Sequence, residues 1–262
     1  MRNRILSPLQ LREVFHLEFL RRLAGKIESK TFAVKGGANL RFFFQSVRYS
    51  EDLDLDARGL SVDRLKDVVL QVLRSPGFGD SLRPFGIGEV RPPDIARAKQ
   101  TDTTQRFKVH LLTKAGEDLF TKIEFSRRGF KGTALVESVA DTVLYDYKIP
   151  PLWAPHYDLR STVSQKIGAL SSRAAVQARD IFDLQILIPR LGDDRSAVLA
   201  ISQDALRDAR NRVFDVGFGQ FRDTVLAYLT PEDQARFDDA GIWDGIRIQV
   251  ATFLESGGKS HA

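Results

Sequence analysis

The sequence predicts an α+β chain, a mixed sheet-and-helix first half (residues 1–150) followed by an α-helical second half (151–262). Three observations carry this. Two alternating apolar/polar runs, RFKVHLLT (106–113) and DLFTKIEFS (118–126), are joined by KAGE, which predicts a β-hairpin. Another alternating run, SEDLDLDA (50–57), follows a short apolar strand, KTFAV (30–34), and the pair Gly36-Gly37. Past Pro150, Pro151 and Pro155, read as a linker, nearly every segment has helical spacing.

Taken in order, Leu9, Val14, Leu17, Leu20 and Leu23 give residues 8–28 a helical stripe, with Pro8 suited to a first turn. Residues 39–47 read as a second helix. SVDRLKDVVLQVLRS (61–75) reads as an amphipathic third, N-capped by Ser61 and stopped by Pro76-Gly77. Residues 78–105 read as loop. Beyond the prolines, 161–188 reads as one strong helix, and further helices cover 194–213, 218–228 and 231–255.

Composition narrows the chemistry. There is no cysteine, so disulfides and thiolate metal sites are excluded. Four histidines, scattered at 16, 110, 156 and 261, argue against a zinc site. No apolar run is long enough to span a membrane and the N-terminus lacks a signal-peptide core, so a cytoplasmic location is expected. The net charge of +5 is compatible with a phosphate-bearing partner, and equally with an ordinary soluble protein.

Alternation puts Asp52, Asp54 and Asp56 on one face of a strand and Leu53 and Leu55 on the other. Aligned carboxylates repel unless a cation lies between them, and Mg²⁺ takes such ligands together with substrate phosphates. A solvated edge strand is the competing reading. Gly36-Gly37, between a strand and a helix, suits a phosphate held by backbone N–H groups, or a plain tight turn. Glu124 shares a strand face with Lys122 and Ser126; it fits either a third acid beside Asp52 and Asp54 or a surface glutamate. Along 161–188, Lys166, Arg173 and Asp180 recur every seven residues beside an apolar stripe, with Asp183 one turn on. Phosphate binding and a solvated charged edge are both open for them.

These residues resemble a known family. Lys35-Gly36-Gly37 with Arg48-Tyr49-Ser50-Glu51-Asp52-Leu53-Asp54-Leu55 looks like the first motif of the AbiEii/AbiGii nucleotidyltransferase toxins. Lys166-Ile167-Gly168-Ala169-Leu170, Arg173 and Arg179-Asp180-Ile181-Phe182-Asp183-Leu184 are similar to its second block, with Lys122-Ile123-Glu124 between. The resemblance implies a polymerase-β-like nucleotidyltransferase core at 1–150, with 151–262 completing the active-site cleft. It implies Mg²⁺-dependent transfer of a nucleoside monophosphate from an NTP to RNA, the tRNA 3′ end in studied relatives, which blocks translation; a cognate antitoxin restrains the toxin.

Carried over, Asp52, Asp54 and Glu124 are the metal-binding acids, and Lys166, Asp180 and Asp183 complete the catalytic set. Lys35, Gly36, Gly37, Ala38, Ser50, Arg173 and Arg179 are the nucleotide-binding candidates; apart from the resemblance, Arg127, Arg128 and Lys131, just after the Glu124 strand, are candidates for a basic acceptor-binding groove. One departure stands out. Ala38 occupies a position where many members carry Ser or Thr, so a hydroxyl contact worth about 1–2 kcal/mol is missing. Two other functions fit the same residues: nucleotide transfer to a small-molecule or protein hydroxyl, and a non-catalytic nucleotide- or RNA-binding module.

Overall fold

The computed structural model describes residues 5–194 and 196–257; His261 of the sequence reading lies outside them. The chain forms two compact units. The first takes the chain up to Gln45, then Tyr49–Phe130 and Ala134–Tyr157; the second takes Ser46–Arg48, Lys131–Thr133 and the chain from Asp158 on.

In the first unit the elements run α1 (Pro8–Ala24), β1 (Phe32–Lys35), α2 (Gly36–Phe43), β2 (Leu53–Ala57), α3 (Val62–Leu73), α4 (Pro76–Leu82) and β3 (Ile87–Arg91). Then come β4 (Thr104–Thr113), β5 (Asp118–Ser126), β6 (Ala134–Ser138), α5 (Asp141–Tyr147) and β7 (Trp153–Tyr157). The strands form one mixed sheet in the order β3-β4-β5-β2-β1-β7-β6. The sheet with flanking helices, and the helical chain after it, follow the α+β reading.

Strand alternation builds the core. Phe32 and Val34, Leu53 and Leu55, Ile123 and Phe125, and Phe107 and Val109 are all buried, and register puts them on one sheet face. Val14, Phe15, Leu65, Val69 and Phe78 of α1, α3 and α4 join the same cluster. At about 1.5–3 kcal/mol per fully buried large side chain, this face is the main source of the unit's stability. The opposite face is left to Lys35, Asp54, Glu124 and Arg106, in register across β1, β2, β5 and β4.

Ser61 caps α3 as expected, accepting from the Arg64 N–H at 3.1 Å. Pro76 does not break the chain but begins α4, because its missing N–H costs nothing at a first helical position and Ser75 supplies the cap. The stretch expected as loop therefore holds α4 and the edge strand β3. The expected linker is likewise structured, as Pro155 lies within β7. A proline interrupts only one ladder. Register with β1 is limited to Val34 opposite His156, while pairing with β6 covers five residues.

The second unit contains α6 (Leu159–Ser172), α7 (Ala178–Leu191), α8 (Ser196–Leu199), α9 (Gln203–Arg212), α10 (Phe218–Thr224), α11 (Pro231–Phe237) and α12 (Ala240–Gly257). Its core centres on buried Trp243, stacked on Phe221 at 4.3 Å and donating its indole N–H to the Val216 carbonyl. The single helix expected over 161–188 is two, α6 and α7. At the break, Ser171 and Ser172 hydroxyls donate to the Gly168 carbonyl, and Arg212 donates to the carbonyls of Leu170, Ser171 and Arg173. Those carbonyls are orphans of the last turn, and their capture ends α6.

Candidate active site

The first unit presents its polar sheet face beside a helix N-terminus. α2 begins at Gly36 rather than at Asn39, with φ +65°, a left-handed conformation that suits glycine. A Cβ there would lie 3.2 Å from Asp54 Oδ2. Lys35 occupies the N-cap without a side-chain cap, so the first-turn N–H groups of α2 have no side-chain acceptor from it. α2 is held by Arg41, which binds buried Glu13 of α1 at 2.6 Å, and by Asn39, which donates to the Tyr157 carbonyl at 3.1 Å. Ala38 is wholly buried on the core side, so it can face the site only through its backbone.

The strand begins at Leu53, so Asp54 and Asp56 lie on β2 and Asp52 just before it, and the three aspartates have separate fates. Asp56 is buried, with Lys35 Nζ 2.5 Å and the Tyr157 hydroxyl 2.6 Å from its two oxygens. It is thereby fixed into the framework, and Lys35 with it. Asp52 is paired with Lys122 Nζ at 2.9 Å. Glu124 receives Arg106 Nε at 2.7 Å and lies 3.7 Å from Lys122 Nζ. Asp54 follows Asp52 by two residues and is in register with Glu124, and among the described residues no hydrogen bond or ion pair reaches its carboxylate. Burial pushes its pKa up; Lys122 opposes this, Asp52 adds to it, Lys35 opposes and Glu124 adds. Asp52 and Glu124, with Asp54, hold the Lys122 ammonium in its charged form, outweighing the effect of its burial.

Among the described residues no three His, Cys, Asp or Glu side chains stand together as a ready metal site. The donor chemistry nevertheless suits a hard divalent cation. Asp54 is a carboxylate whose pKa is raised by burial and that no direct ion pair reaches among the described residues; two more acids lie next to it, and Lys122 supplies positive charge nearby.

The approach to β2 is pinned by a contact that sequence reading missed. Thr121 donates its hydroxyl to the Glu51 carbonyl at 2.8 Å, so its oxygen accepts from His16 Nε2, also at 2.8 Å. Burial, reinforced by Arg12, lowers the His16 pKa to about 3 and keeps the ring neutral. Ser50, a nucleotide-binding candidate, spends its hydroxyl on the Asp52 carbonyl at 2.7 Å. Arg127 is also engaged, to Gln105 Oε1 at 3.0 Å and the Leu60 carbonyl at 2.6 Å, whereas Arg128 and Lys131 are exposed.

The second unit has its own charge cluster. The α6–α7 turn, not a heptad line along one helix, brings Lys166 to Asp180 at 2.9 Å and to Asp183 at 2.5 Å. Arg173 Nη1 lies 2.7 Å from Asp180 Oδ2, and Arg48 grips both oxygens of Asp183 at 3.0 and 3.1 Å. Asp180 and Asp183 are buried, and three cations face the two carboxylates. For Asp183, burial alone would raise the pKa; Arg48 and Lys166 outweigh it and bring the carboxyl below its ordinary range. Arg179 is exposed and outside this cluster.

Arg106 was legible only through register, since counting back from the KAGE turn places it opposite Glu124. Arg48 lay in the quoted motif, but nothing local pointed it at Asp183. Lys122 was visible on the right face, yet its place between the acids depends on β5 lying parallel to β2.

Solved structures share the fold of this chain. MenT4, a nucleotidyltransferase toxin from Mycobacterium tuberculosis, matches with TM-score 0.59 at 16% identity, covering 94% of this chain and 82% of that one. JHP933 from Helicobacter pylori matches with TM-score 0.56 at 16% identity, covering 97% and 93%. At such identities the likeness shows the fold. Comparison with curated protein sequences gives no match. The family model "Nucleotidyl transferase AbiEii toxin, Type IV TA system" matches residues 18–258. The chain belongs to the AbiEii nucleotidyltransferase toxin family and is a nucleotidyltransferase.

Proposed function

We propose that this chain transfers a nucleoside monophosphate from an NTP to an RNA hydroxyl, the tRNA 3′ end being the acceptor, and thereby blocks translation. The observation that carries the reading is Asp54: a carboxylate whose pKa is raised by burial and that no direct ion pair reaches among the described residues, two residues after Asp52, opposite Glu124 and against Gly36 at the N-terminus of α2. Asp52 and Asp54 would hold Mg²⁺, with Glu124 as third ligand or as acceptor of the hydroxyl proton. The metal supplies Lewis-acid stabilisation of phosphate charge. The N–H groups of Gly36, Gly37 and Ala38 face the triphosphate, where the helix field favours an anion. The acceptor oxygen bonds to the α-phosphorus, the bond to the bridging oxygen breaks, and pyrophosphate leaves. In the second unit Asp180 and Asp183 hold Lys166 and Arg173, which gives those cations a fixed place rather than a mobile one.

A cognate antitoxin and a cytoplasmic setting complete the proposal. Among the described residues no helix is long and apolar enough to cross a membrane.

Incubating the purified chain with each labelled NTP, Mg²⁺ and fractionated cellular RNA tests the reading. Label is expected in the tRNA fraction and to vanish with EDTA. A folded protein that labels no RNA with any nucleotide would refute it. Gly36→Ala gives a second expectation. The left-handed φ costs about 1–2 kcal/mol with a Cβ, and that Cβ must also press on Asp54 Oδ2 from 3.2 Å. NTP affinity should fall about tenfold or more, measured by titration calorimetry; unchanged affinity would remove Gly36 from the phosphate site.

A further inference from the structure

A cavity of about 360 Å³ opens beside β4, where the segment 92–99 faces Arg106, Lys108 and His110. Arg97 and Lys99 join them in its lining, and Asp94 is the one acid there. Several of these charges are partly matched: Arg97 lies 3.5 Å from Asp94, Arg106 binds Glu124, and His110 meets Asp118 at 3.0 Å. Lys99 and Lys108 are exposed and, among the described residues, make no ion pair. The cavity thus has two uncommitted ammoniums and an Arg that already touches the carboxylate site.

Its position matters as much as its charge. Arg106, Glu124, Asp54 and Lys35 form one cross-strand row. At roughly 5 Å per strand, Arg106 stands about 10 Å from Asp54. Gly36 and α2 lie on the β1 side of Asp54, the cavity on the β4 side. Displacement at phosphorus brings the attacking oxygen in opposite the leaving group. With the triphosphate on the α2 side, the acceptor must approach from the side of the cavity.

We infer that this cavity is the acceptor subsite and that it binds the phosphodiester backbone of a single-stranded RNA end, with Lys99 and Lys108 on the phosphates. The inference rests on the proposed nucleotide transfer for its polarity, but its test reads binding alone. A polynucleotide is favoured over an acidic protein because the cationic side chains lie along a strand beside a row leading to the acids, which suits an evenly charged chain.

The experiment measures binding of a labelled short single-stranded RNA to the full chain without NTP, by fluorescence anisotropy across a salt series. Lys99→Glu plus Lys108→Glu is expected to weaken binding more than about tenfold. Lys99→Ala plus Lys108→Ala should lower the salt slope by about 1.4. NTP affinity and Tm should not move. Lys26→Glu plus Arg64→Glu, the same charge change at a separate basic depression, should leave RNA binding within about twofold. The inference is overturned if the wild type does not bind the RNA, if the Lys99/Lys108 variants bind it normally, or if the control pair weakens it equally. Binding of poly-glutamate as tight as that of the RNA would also overturn it, by assigning the cavity to an acidic protein. Failure of nucleotide transfer with RNA binding intact would count against the proposed chemistry and leave the subsite standing.

Discussion

Asp54→Asn is expected to lower nucleotide transfer by at least about a thousandfold, roughly 4 kcal/mol of transition-state stabilisation, while the protein stays folded. The two halves of this expectation have one cause. Asp54 is desolvated, receives no hydrogen bond or ion pair among the described residues, and has its pKa raised by burial ahead of any neighbouring charge. A group whose folded pKa is raised stabilises the fold below its unfolded pKa, and that contribution is lost as pH rises through the folded value. At neutral pH its ionised form is therefore a cost to folding, and the neutral amide relieves it. Asparagine cannot supply the charge a divalent cation requires. Activity and Tm are thus expected to move apart, with Tm unchanged or raised. Transfer within tenfold of wild type would remove Asp54 from the site.

The largest expected effect on stability is at Asp183. Its carboxylate is completely buried and held by Arg48 and Lys166. Asp183→Ala takes this carboxylate from two largely buried cations, Arg48 and Lys166, although Lys166 keeps Asp180. Breaking a buried pair from one side costs about 3–5 kcal/mol, or a fall in Tm on the order of 10 °C. Because the Asp183 pKa is depressed, its stabilisation is present above the unfolded value of about 3.9 and is lost as pH falls through the folded one. Acid unfolding of the wild type should therefore steepen below about pH 4, and the variant should lack that component. A loss below about 1 kcal/mol by thermal unfolding of the full chain would show that the cluster does not hold the second unit together.

Local signals read well where neighbours in sequence are neighbours in space. The 104–126 hairpin, the Ser61 cap and the alternation of Asp54 and Asp56 with Leu53 and Leu55 all follow from short-range geometry. The missed elements were ones whose stability comes from elsewhere. β6 is mostly exposed and β7 carries Pro155, so neither shows a strand pattern; they exist because β1 offers an edge and they pair with each other. The α6–α7 break was hidden because its cause, Arg212, comes about forty residues later.

Residue chemistry and strand period by themselves put Asp54, Lys122 and Glu124 on polar strand faces, and the motifs' resemblance to a known family supplied the expected class of reaction. Tertiary structure decided which of those groups remain available. Asp56 is taken by Lys35 and Tyr157, Asp52 by Lys122, Glu124 by Arg106, and the Lys166 ammonium by two aspartates. Alternation fixes the face that a side chain takes, but strand order and helix turns set the partners it finds there. That difference leaves Asp54, alone of the three aspartates, without a direct ion pair among the described residues.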